Sequence, residues 1–165
     1  NDFYPTPKNA TEALLQRQSF IGKIWEPACG NGAMSCVMEK EGYEVYSTDL
    51  IDRGYGQSGI DFLMETQRFD NIVTNPPFTL ALEFTLKALE LANKKVVMLS
   101  KMSYLEGIKR RKLLFNQKKL EKVLVFSQRI PFKKADSEEK ANGLMAFGWF
   151  IYDVNYDGLP TIDWI

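Results

Sequence analysis

Short apolar runs alternate with stretches of helical periodicity, and this alternation constrains the fold more than any other feature of the sequence. It favours a mostly parallel sheet with helices packed on it. We predict seven strands, at Lys23–Trp25, Glu44–Thr48, Gly59–Leu63, Asp70–Thr74, Lys95–Leu99, Val123–Phe126 and Leu144–Tyr152. No helix separates the last two, so we expect them to pair antiparallel at one edge of the sheet. The fold class is therefore α/β, doubly wound, with an antiparallel last strand.

Four helices are predicted between the strands. The first follows Pro7, the second begins near Ala33, the third includes Leu82, and the fourth is a basic helix from Tyr104 to Lys118. A polar loop of mixed charge, Lys133–Gly143, precedes the last strand and could approach a substrate. With 165 residues, 45% of them hydrophobic, the chain suits a single domain spanning 1–165 around one core.

Composition excludes several kinds of site. The formal net charge is zero, which argues against a strongly basic surface that binds nucleic acid non-specifically. The chain has no histidine, so neither a histidine base nor a histidine-ligated metal is available. Cys29 and Cys36 lack metal-ligand spacing and indicate reduced thiols. No apolar run is long enough for a membrane span, and the amino terminus lacks a signal-peptide pattern. We expect a cytoplasmic protein with no metal and no membrane contact.

Two predicted strand ends carry residues typical of an adenosine-binding site. The first strand runs into Glu26–Gly32, "EPACGNG", whose glycines would let the backbone approach a ligand where the next helix begins. Asp49 directly follows the second strand, nineteen residues after Gly30. An acidic side chain there can accept hydrogen bonds from ribose hydroxyls. These features predict a cofactor that contains adenosine.

The residues around this loop favour a cationic cofactor over a dinucleotide. The stretch Gly30–Ser35 lacks the third glycine of the G-x-G-x-x-G fingerprint. Glu26, directly before Pro27, would repel a pyrophosphate but suits an ammonium or sulfonium group. The sequence thus favours S-adenosylmethionine over NAD.

A rigid corner, "TNPPF" (Thr74–Phe78), follows another predicted strand. Each proline fixes its own φ and lacks an N–H, and each restricts the residue before it. The corner therefore holds one amide side chain and one aromatic ring in a stiff, extended backbone.

These motifs together resemble class I S-adenosylmethionine-dependent methyltransferases of the amino-methylating kind, which includes DNA adenine-N6 methyltransferases. "DFYPTP", "EPACGNG", "STDL", "IDFL" and "TNPPF" follow the order used in that family. The last matches its [DNS]-P-P-[YFW] signature. The resemblance covers most of the chain and implies a Rossmann-like class I methyltransferase fold.

The resemblance also implies roles for individual residues. Asn75, Pro76, Pro77 and Phe78 would be catalytic: Asn75 and the Pro76 carbonyl would accept hydrogen bonds from the target amine, and Phe78 would stack on a flipped base. Cofactor binding would involve Phe3, Tyr4, Thr6, Glu26, Pro27, Gly30, Gly32, Asp49, Leu50, Asp61, Phe62 and Asn75.

Structural alternatives remain for some of these residues. Asp61 could cap a turn, Phe62 could belong to the core, and Phe3 and Tyr4 could fasten the amino terminus to the sheet. Phe132 is a candidate second wall for the target base. The basic residues in and just after the fourth predicted helix would position phosphates, or would form a solvated face. They are Lys109, Arg110, Arg111, Lys112, Lys118 and Lys119, and the first three are the candidate substrate-binding residues.

The predicted function is methyl transfer to adenine N6 in DNA, with RNA adenine N6 or a protein glutamine amide as alternative substrates. A non-catalytic cofactor-binding subunit is the alternative of another class. No segment is long enough for a separate target-recognition domain, so a protein partner could supply specificity.

Overall fold

Seven strands form one sheet in the structure, a computed structural model that describes residues 3–132 and 145–165. They are β1 (Ile24–Glu26), β2 (Val45–Ser47), β3 (Phe69–Thr74), β4 (Ala92–Lys101), β5 (Leu120–Val125), β6 (Phe147–Asp153) and β7 (Thr161–Trp164). Their order in the sheet is β2-β1-β3-β4-β6-β5-β7. Of the pairs they make, only those of β6 with β4 and β5 are antiparallel. The predicted α/β class with a mostly parallel sheet is confirmed.

The described residues also contain four α-helices: α1 (Lys8–Arg17), α2 (Ser35–Lys40), α3 (Ala81–Leu91) and α4 (Ile108–Leu113). Short 3₁₀ helices cover Phe62–Met64, Phe78–Leu80, Met102–Leu105 and Phe115–Gln117. None of the helices in this part of the chain has the length and apolar character needed to cross a membrane.

The helices cover both faces of the sheet because the central strands are apolar on both sides. In β4, Val96 and Met98 belong to the core cluster that includes residues of α3, whereas Val97 and Leu99 belong to the cluster that includes residues of α1 and α2. β6 is anchored to α1 by the indole N–H of Trp149, which donates to a backbone carbonyl of that helix at 2.9 Å. Two packed faces are what the doubly wound class predicts.

One predicted strand, Gly59–Leu63, is wrong. The Asp61 carboxylate accepts a hydrogen bond from the Leu63 N–H at 3.0 Å, and this cap starts the 3₁₀ helix Phe62–Met64. The apolar character of the stretch instead reflects Phe62, which packs against Trp25 with 5.0 Å between ring centroids. The seventh strand is β7, which was not predicted: it is mostly exposed and has no apolar alternation strong enough to identify it.

The position of the antiparallel strand also differs from the prediction. β6 pairs with β5 as expected, but it lies inside the sheet between β4 and β5, and β7 forms the edge. Nearly all of β6 is buried, which an internal strand requires.

The predicted basic helix Tyr104–Lys118 is divided into shorter segments. Gly107 has φ +123° and precedes α4, and Lys118 has φ +57° after the last 3₁₀ turn. Neither conformation continues an α-helix. The predicted loop Lys133–Gly143 lies outside the described residues.

Candidate cofactor and amine site

A cavity of about 290 Å³ opens where β1, β2 and β3 end. The strands are parallel and in register: Glu26 lies opposite Ser47, and Trp25 lies opposite Ile72. The loops that follow the three strands therefore meet at one edge of the sheet. Predicted site residues that line the cavity are Phe3, Tyr4, Thr6, Glu26, Pro27, Asp49, Leu50, Asp61, Phe62, Asn75, Pro76, Pro77 and Phe78.

The glycine loop after β1 is shaped by contacts with two aromatic rings. Gly30 has φ +56°, and a Cβ there would lie 2.2 Å from the Phe3 ring. Gly32 has φ +81° and faces the Tyr55 ring in the same way. These two glycines thus let the rings close over the loop. The Gly30 N–H also donates to Asp49 at 2.8 Å, which ties the loop after β1 to the end of β2.

Glu26 places a buried carboxyl group at the end of β1. Its side chain is 2% exposed and accepts a hydrogen bond from the Ser35 hydroxyl, which also contacts the Ser47 hydroxyl at 2.6 Å. Burial raises the pKa of Glu26 to about 8, although the hydrogen bonds from Ser35 oppose this. The carboxyl group is therefore mostly neutral at pH 7, and a cationic ligand in the cavity would favour its ionised form.

Asp49 and Asp61 give the cavity two further carboxylates. Asp49 accepts from the backbone N–H groups of Gly30 and Ile51, at 2.8 and 2.9 Å, so its orientation is fixed. Asp61 caps the 3₁₀ helix and also lines the cavity. Capping and ligand binding are therefore compatible, because a carboxylate has lone pairs for several donors.

The amide of Asn75 is oriented by the amino-terminal segment. Its Nδ2 donates to Thr6 Oγ1 at 3.1 Å and to the Tyr4 carbonyl at 3.4 Å. Its Oδ1 is buried and has no hydrogen-bond partner among the described residues. Asn71, on β3 just before this residue, has a similar orphan oxygen but does not line the cavity. Asn75 therefore lines the cavity with an oriented amide whose buried oxygen has no partner among the described residues.

Phe78 lies among several aromatic rings. Its centroid is 6.1 Å from that of Tyr4 in a stacked arrangement and 5.7 Å from that of Phe147. Phe132 meets it edge-on at 6.5 Å, is 5% exposed and does not line the cavity. The Lys101 ammonium lies 4.8 Å from the Phe78 centroid. The Phe78 ring is thus held on several sides by its neighbours.

The predicted phosphate-binding residues lie outside the cavity. Lys109 is 3.5 Å from a carboxylate oxygen of Glu83, and Arg110 donates to the Glu106 carbonyl at 2.6 Å. Arg111 is exposed.

Several cavity residues were not predicted, including Met34, Arg53, Leu80 and Phe84. The guanidinium of Arg53 lies 4.1 Å from the Phe3 centroid. The sequence offers one indication of this role, because Arg53 lies between the predicted cofactor residues Asp49 and Asp61 along the chain. Lys101 contacts Phe78 but was also missed, because it ends a strand with no motif of its own. Within residues 3–132 and 145–165, no group of acidic or cysteine side chains is placed to hold a metal ion.

The fold is shared with solved methyltransferase structures. A protein of Pyrococcus horikoshii, provisionally described as an RNA methyltransferase, superposes with a TM-score of 0.69 at 19% identity, over 91% of this chain and 85% of that one. The modification subunit of a provisionally assigned type I restriction enzyme from Vibrio vulnificus gives 0.68 at 14% identity, over 99% and 47%.

A third structure contains a bound cofactor. Magnesium protoporphyrin IX methyltransferase from Synechocystis, determined with bound S-adenosylmethionine, gives 0.61 at 12% identity, over 88% of this chain and 78% of that one. No protein-family model matches the sequence, and comparison with curated proteins gave no match. These similarities confirm the Rossmann-like class I methyltransferase fold.

Proposed function

We propose that this chain transfers a methyl group from S-adenosylmethionine to an exocyclic amine, namely N6 of adenine in DNA. The observation that carries the proposal is the Asn75 amide, whose donors are used within the protein while its buried Oδ1 is free. Asn75 lines the same cavity as Glu26 and Asp49. An amine and a cationic cofactor that bound there would be adjacent.

The residues of the cavity fit S-adenosylmethionine. Glu26, buried and easily ionised by a nearby cation, would face the ammonium group, and Asp49 would accept from the ribose hydroxyls. Asp61 and Phe62 would contact the adenine ring, with Leu50 covering its other face. When bound, the cofactor supplies a methyl group already activated by positively charged sulfur. The protein therefore needs no acid to activate it, which accords with a chain that has no histidine.

The TNPPF corner suits a weakly nucleophilic amine. The lone pair of an exocyclic amine is delocalised into the ring to which it is attached. If Asn75 Oδ1 and the Pro76 carbonyl accepted hydrogen bonds from the two N–H groups of the amine, the lone pair would be localised on nitrogen. Phe78 would stack on the base, so catalysis would depend on positioning and electrostatics.

DNA is favoured over other substrates by a cluster of basic residues. The segment after β4 carries four consecutive cations, Lys109–Lys112, on a chain of zero net charge. Such a local patch can bind phosphates. The likeness to a restriction modification subunit adds support, whereas the likeness to an RNA methyltransferase makes RNA the second candidate.

The proposal is tested by offering radiolabelled S-adenosylmethionine with DNA, RNA or mixed protein, then digesting the products to find the modified residue. N6-methyladenine in DNA is the expected product. Label in RNA or on glutamine would replace the substrate, and cofactor binding without any transfer would point to a subunit that needs a catalytic partner.

The mechanism is tested with Asn75→Ala. Removing the acceptor should lower kcat at least about 10²-fold, the scale typical of one polar group acting on the transition state. The Kd for the cofactor should change by less than about threefold, because most of its contacts remain. Asn71→Ala is the matched control: it removes an equivalent buried amide outside the cavity, and its effect should fall on stability. Unchanged turnover in Asn75→Ala would refute the mechanism.

A further inference from the structure

We propose that the corner formed by residues 105–112 is a wedge that enters duplex DNA beside the extruded adenine. This inference rests on the proposed function, since it concerns how a paired base would reach the cavity. The two large apolar side chains of the corner, Leu105 and Ile108, belong to none of the motifs described above.

The corner is attached to the wall of the proposed base site. Lys101, just before it, places its ammonium over the Phe78 ring at 4.8 Å. The hydroxyl of Tyr104 lies 3.2 Å from the Ala81 carbonyl and 3.1 Å from Thr85 Oγ1, which fixes the segment against the start of α3. α3 follows directly after the 3₁₀ turn that begins at Phe78. The corner and the Phe78 ring, which would stack on the base, are therefore held to each other through Lys101 and the start of α3.

Only a short segment separates the corner from the residue that contacts Phe78. A 3₁₀ helix, Met102–Leu105, connects Lys101 to the corner. At about 2 Å per residue it advances the chain by roughly 8 Å. Base pairs in DNA are spaced about 3.4 Å apart along each strand. Leu105 is therefore separated from Lys101, the residue that contacts Phe78, by a length of chain equal to only two to three base-pair spacings.

The apolar side chains of the corner point into solvent. Ile108 is 75% exposed and Leu105 is 40% exposed, although Tyr104 between the corner and α3 is buried. The turn between them is made by Gly107, whose φ of +123° is rarely adopted by other residues. Branched apolar side chains of this kind are the ones that proteins insert between base steps to unstack them.

The residues around the corner favour a binding partner that is a polyanion with an apolar interior. Ile108 is followed directly by the four cations Lys109–Lys112, and the nearby carboxylates are Glu106 and Glu83, the latter paired with Lys109. Other large apolar side chains among the described residues are at least as exposed, namely Leu159 at 83%, Ile21 at 78% and Met64 at 76%. None of them is followed by a run of cations: Met64 precedes Glu65, and Leu159 lies between Asp157 and Asp163. An apolar tip beside cations fits stacked bases beside phosphates, which describes duplex DNA.

The experiment compares transfer to long DNA free of methylated adenine, offered native or heat-denatured. The variant is L105S/I108S, and Leu159→Ser is the matched control, an exposed leucine in the loop that follows the far end of β6. The double variant should lose at least about tenfold in kcat/KM on native DNA and less than about twofold on denatured DNA, because unpaired bases need no wedge. The control should match wild type on both.

The outcomes separate this inference from the proposed function. Wild-type transfer to neither form of DNA would overturn both. Three outcomes would overturn the wedge and leave the proposed function standing. The wild-type protein could act on denatured DNA alone, the double variant could lose activity equally on both forms of DNA, or it could lose activity on neither. A tenfold loss confined to native DNA would support it.

Discussion

Replacing Glu26 by Gln should remove a pH dependence that the stability of the wild-type protein has between pH 5 and 8. Glu26 is buried, and its pKa rises in the folded protein from its ordinary value of 4.5 to about 8. Between these values the unfolded chain carries an ionised carboxylate while the folded chain keeps the group protonated. The folded state then binds more protons, so the stability from this group is complete below pH 4.5 and is lost as pH rises through 8.

The size of the effect follows from the two pKa values. At about 1.4 kcal/mol per pH unit, the difference between 4.5 and about 8 corresponds to roughly 5 kcal/mol over the whole range. Gln does not ionise, and it can still accept the hydrogen bond from Ser35. The free energy of unfolding of Glu26→Gln minus that of wild type should therefore grow with pH and become constant above about pH 8.

The assay is urea unfolding at pH 5, 6, 7, 8 and 9 for wild type and variant. The absence of histidine removes the side chain that most often titrates in this range. Burial raises the pKa of Cys29 to about 12 and keeps that thiol out of the range as well. The difference curve consequently reports mainly on Glu26.

A flat difference between pH 5 and 8 would refute the reasoning, because it would mean that Glu26 ionises alike in both states. Ser35→Ala supplies a second check. It removes hydrogen bonding that lowers the pKa of Glu26, so the decline in stability should extend above pH 8 in that variant.

Three other predictions concern the same cavity. Asp49→Asn should weaken binding of S-adenosylmethionine at least about tenfold in calorimetry by removing a charged acceptor; an unchanged Kd would exclude the ribose role. Gly30→Ala should lower the free energy of unfolding by more than Gly42→Ala does. Both glycines have positive φ, but only at Gly30 would an added Cβ lie 2.2 Å from a ring. Equal losses in denaturant titrations would contradict this. Iodoacetamide at pH 8 should label exposed Cys36 before buried Cys29, whose thiol has a pKa raised to about 12; mass spectrometry showing equal rates would contradict the burial argument.

The fold was predictable wherever burial and local pattern agreed. β3 was located within one residue, and the helix predicted to include Leu82 is α3, because apolar residues recur with the period of each element. The prediction of a strand at Gly59–Leu63 was wrong because the Asp61 carboxylate caps a 3₁₀ helix within this apolar stretch. β7 is defined by pairing with β5, a contact between distant residues that leaves little local trace in the sequence.

Many residues that line the cavity were predicted, because they belong to sequence motifs in the loops that follow the strands. The inward position of Asp49 followed from its place at a strand end. Sequence could not show that Thr6 and the Tyr4 carbonyl hold the Asn75 donors, because that depends on where the amino-terminal segment packs. Arg53 and Lys101 were missed for the same reason: each acts through an aromatic ring distant in sequence.

The position of β6 inside the sheet has a consequence for synthesis of the chain. β4 and β5 are both complete by residue 125, yet each bonds to β6, whose residues 147–153 leave the ribosome later. Until then, β4 and β5 each carry an unpaired, largely apolar edge, which is the kind of surface that associates with other chains. β4 and β5 therefore gain the strand that joins them only after residue 153 has been translated, and shorter nascent chains should depend on chaperones to stay unaggregated.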